Sequence, residues 1–84
     1  MSDFDPGSVQ VAKVVDARGS ACPGPLLEAK KAIGTVKVGE TIEILSGDPS
    51  TKTDLPKWAA KVGHKFLGVA KGEGYDRLFV TRGK

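Results

Sequence analysis

Cys22-Pro23-Gly24-Pro25-Leu26-Leu27-Glu28-Ala29-Lys30-Lys31-Ala32-Ile33-Gly34 is the stretch on which the fold turns. Proline suits the first helical position, because the N–H it lacks would have found no partner there. Leu26, Ala29 and Ile33 then recur at i, i+3 and i+7, one face of a helix. Gly34 closes the pattern, as a glycine just past a helix end commonly does. Immediately upstream the pattern is different. Val9 to Val15 carries valine at 9, 11, 14 and 15 and predicts a strand, followed by a loop over Asp16-Ala17-Arg18-Gly19-Ser20-Ala21. Cys22 therefore stands where a strand-and-loop segment gives way to a helix.

Outward from this switch, Thr41-Ile42-Glu43-Ile44-Leu45-Ser46 alternates as a second strand, with Ile42 and Ile44 inward. A strand, a helix and a strand in that order imply a parallel pair joined by a right-handed crossover. Gly47-Asp48-Pro49 turns the chain. A second helix runs to Val62, with Leu55, Trp58, Ala59 and Val62 as its apolar stripe and Gly63 as its stop. Thr51 and Asp54 have the spacing of a capping box. Pro56 would break a helix capped at Thr51, so a tight turn over 51–53 and a regular helix from Asp54 are expected. Lys65–Lys71 and Tyr75–Arg82 read as two more strands, joined by Gly72-Glu73-Gly74 as a hairpin. The order β-α-β-α-β-β predicts an α/β (α+β) two-layer sandwich, a four-stranded mixed sheet with both helices packed on one face. The opposite sheet face is expected to be open or covered by a partner.

The chain has 84 residues, enough for one domain, expected over 9–84 with 1–8 as a flexible lead-in. Apolar residues make up 39% and charged residues 27%, an ordinary globular balance. No apolar run has the length of a membrane span, and Met1 to Gly7 lacks the basic and apolar regions of a signal peptide. One cysteine excludes an internal disulfide framework, and one cysteine with one histidine cannot build a Cys/His metal cage. The expected compartment is the reducing cytoplasm, with no cofactor and no metal. The net charge of +3 suits an acidic protein partner or a small anion as well as nucleic acid.

The chemistry centres on Cys22. A thiol is nucleophilic as the thiolate, and a helix N-terminus favours an anion through its unpaired N–H groups and partial positive charge. Pro23 and Pro25 offer no N–H, so the amides of Gly24, Leu26 and Leu27 remain as donors. The prolines stiffen the first turn, and Gly24 leaves the approach to sulfur clear. Such a site suits a thiolate or a persulfide, Cys–S–S⁻. Position 25 is proline where a C-x-x-C oxidoreductase has its resolving thiol. A lone thiolate can instead accept one sulfur atom and hand it on. The competing reading is a buried cysteine that only packs.

From Val9 to Arg82 the chain resembles the TusA/SirA family of sulfur carriers, whose mark is a Cys-Pro-x-Pro motif opening the first helix. Cys22-Pro23-Gly24-Pro25 matches it, after a similar lead-in at Asp16-Ala17-Arg18-Gly19. A second block is similar as well: Asp48-Pro49-Ser50-Thr51, Asp54-Leu55-Pro56 and Gly63-His64. The resemblance implies a sulfurtransferase that carries a persulfide on Cys22. It implies relay from a donor such as a cysteine desulfurase, rhodanese or DsrE-like protein to an acceptor protein, in tRNA thiolation or in sulfur oxidation. Many family members carry a second cysteine near the position of Trp58-Ala59; its absence here points to single-site carriage.

Other residues have two readings each. Arg18 attracts an anionic donor such as thiosulfate or is a solvated surface group. Asp48 and Asp54 contact a partner or cap helices, with capping favoured for Asp54. Lys30 and Lys31, with Lys52, Lys57 and Lys61, give the helices basic faces that steer an acidic partner or serve solubility. His64 is a general base or a local hydrogen-bonding residue. Trp58 fits the core better than a ligand platform. The alternative functions are a non-catalytic regulatory or RNA-binding module, for which the strands expose few aromatics, and a redox switch through an intermolecular disulfide. A monomer or weak homodimer is expected, without membrane or direct nucleic-acid contact.

Overall fold

The computed structural model describes residues 10–19 and 24–84. The expected lead-in 1–8 lies outside them, as do Val9, Ser20, Ala21, Cys22 and Pro23. The elements run β1 (Val11–Ala17), α1 (Gly24–Ile33), β2 (Thr41–Ser46), α2 (Thr51–Val62), β3 (Lys65–Lys71) and β4 (Asp76–Thr81). The four strands form one sheet in the order β1-β2-β4-β3. β1 and β2 are parallel, and the other two pairings are antiparallel. This is the expected mixed sheet with two helices. Among the described residues no helix is long and apolar enough to cross a membrane.

Alternation along the strands sends Val15, Ala17, Ile42, Ile44, Leu78 and Val80 into one cluster with Ala29, Ala32, Ile33, Leu55 and Ala59 of the helices. Each large aliphatic side chain fully buried here contributes about 1.5–3 kcal/mol. Leu26, Trp58 and Phe66 pack against the cluster from its margin. Val62, expected in the stripe, is 38% exposed. The opposite sheet face is not bare: Phe79 is fully buried there, and Glu43, 8% exposed, accepts a 2.7 Å hydrogen bond from Arg77 Nε. Both outer strands carry a register shift, between Val11 and Lys13 and between Phe66 and Gly68. Bulges at sheet edges discourage pairing with another chain.

Three local expectations need correction. The first strand continues through Asp16 and Ala17, which pair with Leu45 and Ser46, because Ala17 is core, 2% exposed. Gly34 ends α1 without a left-handed backbone. Gly34 N–H and Thr35 N–H bond back three residues, to Lys31 O and Ala32 O, which tightens the last turn instead. The second helix begins at Thr51, not Asp54. Its first amides, of Thr51, Lys52 and Thr53, reach back three residues, and Asp54 N–H reaches back four, to Ser50 O. The expected tight turn is therefore wound into the helix. Pro56 falls two residues after that first four-residue bond, where it forfeits only the bond to Lys52 O.

Candidate functional site

The parallel pair ends at the matched residues Ala17 and Ser46, so the loops after β1 and β2 leave the sheet side by side. They touch: a side chain at Gly47 would begin 3.3 Å from the Arg18 carbonyl, so this contact favours glycine. The β3–β4 hairpin arrives at the same edge, because Asp76 faces both Ser46 and Lys71. In open α/β sheets the carboxyl ends of parallel strands are where ligands bind. Cys22 and Pro23 belong, by sequence, to the connection that leaves this edge and enters α1; both lie outside the described residues.

Gly24 opens α1, and Pro25 in its first turn is fully buried. Pro25 thus anchors the helix start in the core as well as limiting its backbone. Leu26 is half-buried against the core, and Leu27 is 50% exposed. The first turn contains no carboxylate, so nothing within it offsets the positive end of the helix dipole. Lys30 and Lys31 lie in the last turn, where the dipole favours cations. Lys31, largely exposed, sits 4.0 Å from the half-exposed Glu28; such a surface pair contributes little.

Arg18 lies at the same edge with its charge engaged. Its Nε and Nη2 donate to Asp16 at 2.9 and 2.8 Å, and the guanidinium lies 5.1 Å from the centre of the Tyr75 ring. The hydrogen bonds from Arg18 draw the exposed Asp16 carboxyl down to about 2. Asp48 shapes its own loop: Oδ1 accepts from Ser50 N–H at 2.9 Å, and its N–H donates to Ser46 Oγ at 3.1 Å. Asp54 occupies the first turn of α2. Lys52 Nζ lies 3.7 Å from Asp76, which ties α2 to the hairpin.

His64 stands at the far end of α2. Its Nδ1 accepts from Gly83 N–H at 3.0 Å, its ring centre is 5.3 Å from that of Trp58, and burial pushes its pKa down. The structure therefore gathers Arg18, Asp48 and the start of α1 at one edge, and places His64 elsewhere.

Sequence reasoning missed the contact between Ser46 and Thr51. Their hydroxyls meet at 2.9 Å in the core, with Ser46 fully buried and Thr51 2% exposed. Thr51 spends its hydroxyl on this contact, and the helix has no side-chain cap hydrogen bond. The signal available was the inward register of Ser46, two residues after Ile44. Tyr75 was also missed as the surface under Arg18.

The fold matches a crystal structure of a SirA-like protein from Desulfitobacterium hafniense, with a TM-score of 0.74 and 26% identity over 86% of this chain and 99% of that one. Residues 13–82 match the family described as sulfurtransferase TusA. An Archaeoglobus fulgidus protein provisionally named as a sulfur carrier is 51% identical over 69 residues, which span 82% of this chain and 94% of its own. The sulfur carrier protein TusA of Pseudomonas putida is 33% identical over 74 residues, 88% of this chain and 86% of its own. The chain belongs to the TusA family of sulfurtransferases.

Proposed function

We propose that the protein is a sulfur carrier that holds one sulfur atom as a persulfide on Cys22 and passes it between two proteins in the cytoplasm. The observation that carries this reading is the start of α1: a carboxylate-free first turn, anchored by buried Pro25, two residues after the chain's single thiol. The amides of Gly24 and Leu26 precede the first four-residue bond of the helix and are the donors for the sulfur anion. Pro23 and Pro25 subtract competing N–H groups and set the turn.

In the loading step the Cys22 thiolate attacks the terminal sulfur of a donor persulfide. A new S–S bond forms at Cys22, the donor's S–S bond breaks, and the donor leaves as a thiolate. Unloading is the same displacement with the acceptor's thiolate as nucleophile. No outside oxidant or reductant is consumed. The donor is a cysteine desulfurase, rhodanese or DsrE-like protein. Arg18, already paired with Asp16, orders the edge beside the thiol rather than presenting an unpaired charge. The test is intact-protein mass spectrometry after exposure to a persulfide donor. Wild type should gain one sulfur atom that reductant removes, and Cys22→Ala should gain none. An unmodified wild type would refute the proposal.

A further inference from the structure

Positive charge is not spread evenly over this molecule. α1 and α2 together hold five lysines, Lys30, Lys31, Lys52, Lys57 and Lys61, against the two carboxylates Glu28 and Asp54. That excess of three equals the net charge of the whole chain, because the remaining eight basic residues balance eight acidic ones. Between the helices runs a groove of about 260 Å³ lined by Leu26, Lys30, Asp54, Lys57, Trp58 and Lys61. Its floor is apolar, with Leu26 and Trp58 packed against the core from its margin. Three exposed lysines form its rim, offset by one carboxylate. The groove is smaller than the roughly 300–1,000 Å³ of small-molecule pockets, and has room for a side chain or two. It opens at Leu26, four residues from Cys22 in the sequence.

We propose that this groove docks an acidic segment of a partner protein, which seats a bulky apolar side chain between Leu26 and Trp58 while its carboxylates meet the lysine rim. The assignment rests on the sulfur-carrier reading, which supplies the partner: the donor or acceptor whose sulfur must come to Cys22. Charge argues against a second copy of this chain as occupant, since its helix layer carries the same excess of lysine. Opposite charge across an interface speeds encounter and fixes register, and a buried apolar anchor supplies the holding energy.

Trp58 is the only tryptophan in the chain, so its fluorescence reports on the groove directly. The probe is a glutamate-rich helical peptide without tryptophan, carrying leucines at i and i+4. It should shift Trp58 emission to the blue in a saturable way, with wild type and Cys22→Ala alike. Binding should weaken about tenfold or more with Lys57→Glu/Lys61→Glu, with Lys30→Glu, and with a peptide whose leucines are alanine. Lys13→Glu/Lys65→Glu, on the outer strands, should change it less than about twofold. Circular dichroism identifies any variant that does not fold, and the remaining variants then decide. An unchanged emission, or equal binding to the rim variants, would overturn the assignment. A blue shift on concentrating the protein alone, or tighter binding of single-stranded RNA at the same lysines, would also overturn it in favour of those occupants. Sulfur uptake at Cys22 without peptide binding removes the groove proposal alone; peptide binding without sulfur uptake removes the carrier reading alone.

Discussion

Ser46→Ala should destabilise the protein more than Thr51→Val, although the two hydroxyls share one buried contact of 2.9 Å. The asymmetry comes from Ser46 Oγ, which also accepts the Asp48 N–H at 3.1 Å. Alanine at 46 strands two groups, the Thr51 hydroxyl and the Asp48 amide. Valine at 51 strands at most one, because Ser46 keeps the Asp48 N–H and has the Asp48 carbonyl at 3.4 Å as a second acceptor. A buried polar group left without a partner costs about 1–3 kcal/mol. The Asp48 amide is only partly buried and belongs at the low end, so Ser46→Ala should cost about 3 kcal/mol and Thr51→Val about 1 kcal/mol. For a domain of this size these correspond to falls in Tm of roughly 12–24 °C and 4–8 °C. The double variant should be less destabilised than the sum of the two, by about 2 kcal/mol or more, since the penalty for a stranded Thr51 hydroxyl is absent when valine stands at 51. Urea denaturation of all four proteins with a common slope measures this. Equal costs for the two single variants, or strict additivity, would refute the network. Under the proposed function the network matters because it fixes the Gly47-Asp48 turn, whose Gly47 lies against the Arg18 carbonyl at the end of β1 that leads, in the sequence, to Cys22.

Other expectations are quickly checked. Gly63, at φ 89°, has a left-handed backbone that costs other residues about 1–2 kcal/mol, so Gly63→Ala should lower stability by about that amount in urea melts. Gly34 has no such backbone, and a Cβ there meets nothing closer than 3.5 Å, so Gly34→Ala should stay within about 0.5 kcal/mol of wild type. Burial lowers the His64 pKa, so the folded state favours neutral imidazole; this contribution to stability is full above about pH 6.5 and is lost as pH falls through the lower folded value. The urea midpoint should therefore drop between neutral pH and pH 5.5 or so, and His64→Asn should flatten that slope; an unchanged slope would show that His64 does not titrate with folding. By NMR, the Asp16 carboxyl should titrate near 2 and return toward the ordinary carboxylate range in Arg18→Gln; a midpoint that ignores the substitution would remove the pair as the cause.

The element order was legible because glycine and β-branched residues punctuate this chain strongly. Gly63 before Lys65–Lys71, and Gly72-Glu73-Gly74 before the last strand, mark boundaries that the structure keeps or moves by one residue. The place of β4 beside β2 was not legible. That Ile42 lies opposite Val80 depends on a pairing across 38 positions, for which no local pattern speaks. Ala17 and Thr51 were misread for a related reason. Alanine has little preference for strands, and threonine three residues before aspartate imitates a cap, yet burial against the core decided both. Cys22 is proposed as the chemical centre from its proline neighbours in the sequence, while the Leu26–Trp58 groove needed two helices brought together in space.

The most direct test of the central claim is the sulfane sulfur held at Cys22. Protein exposed to a persulfide donor, freed of that donor and treated with cyanide should release thiocyanate in a one-to-one ratio with the chain. None should be released from Cys22→Ser or from protein whose thiol was alkylated beforehand. Release of equal thiocyanate from wild type and Cys22→Ser, or of none from wild type, would contradict the account.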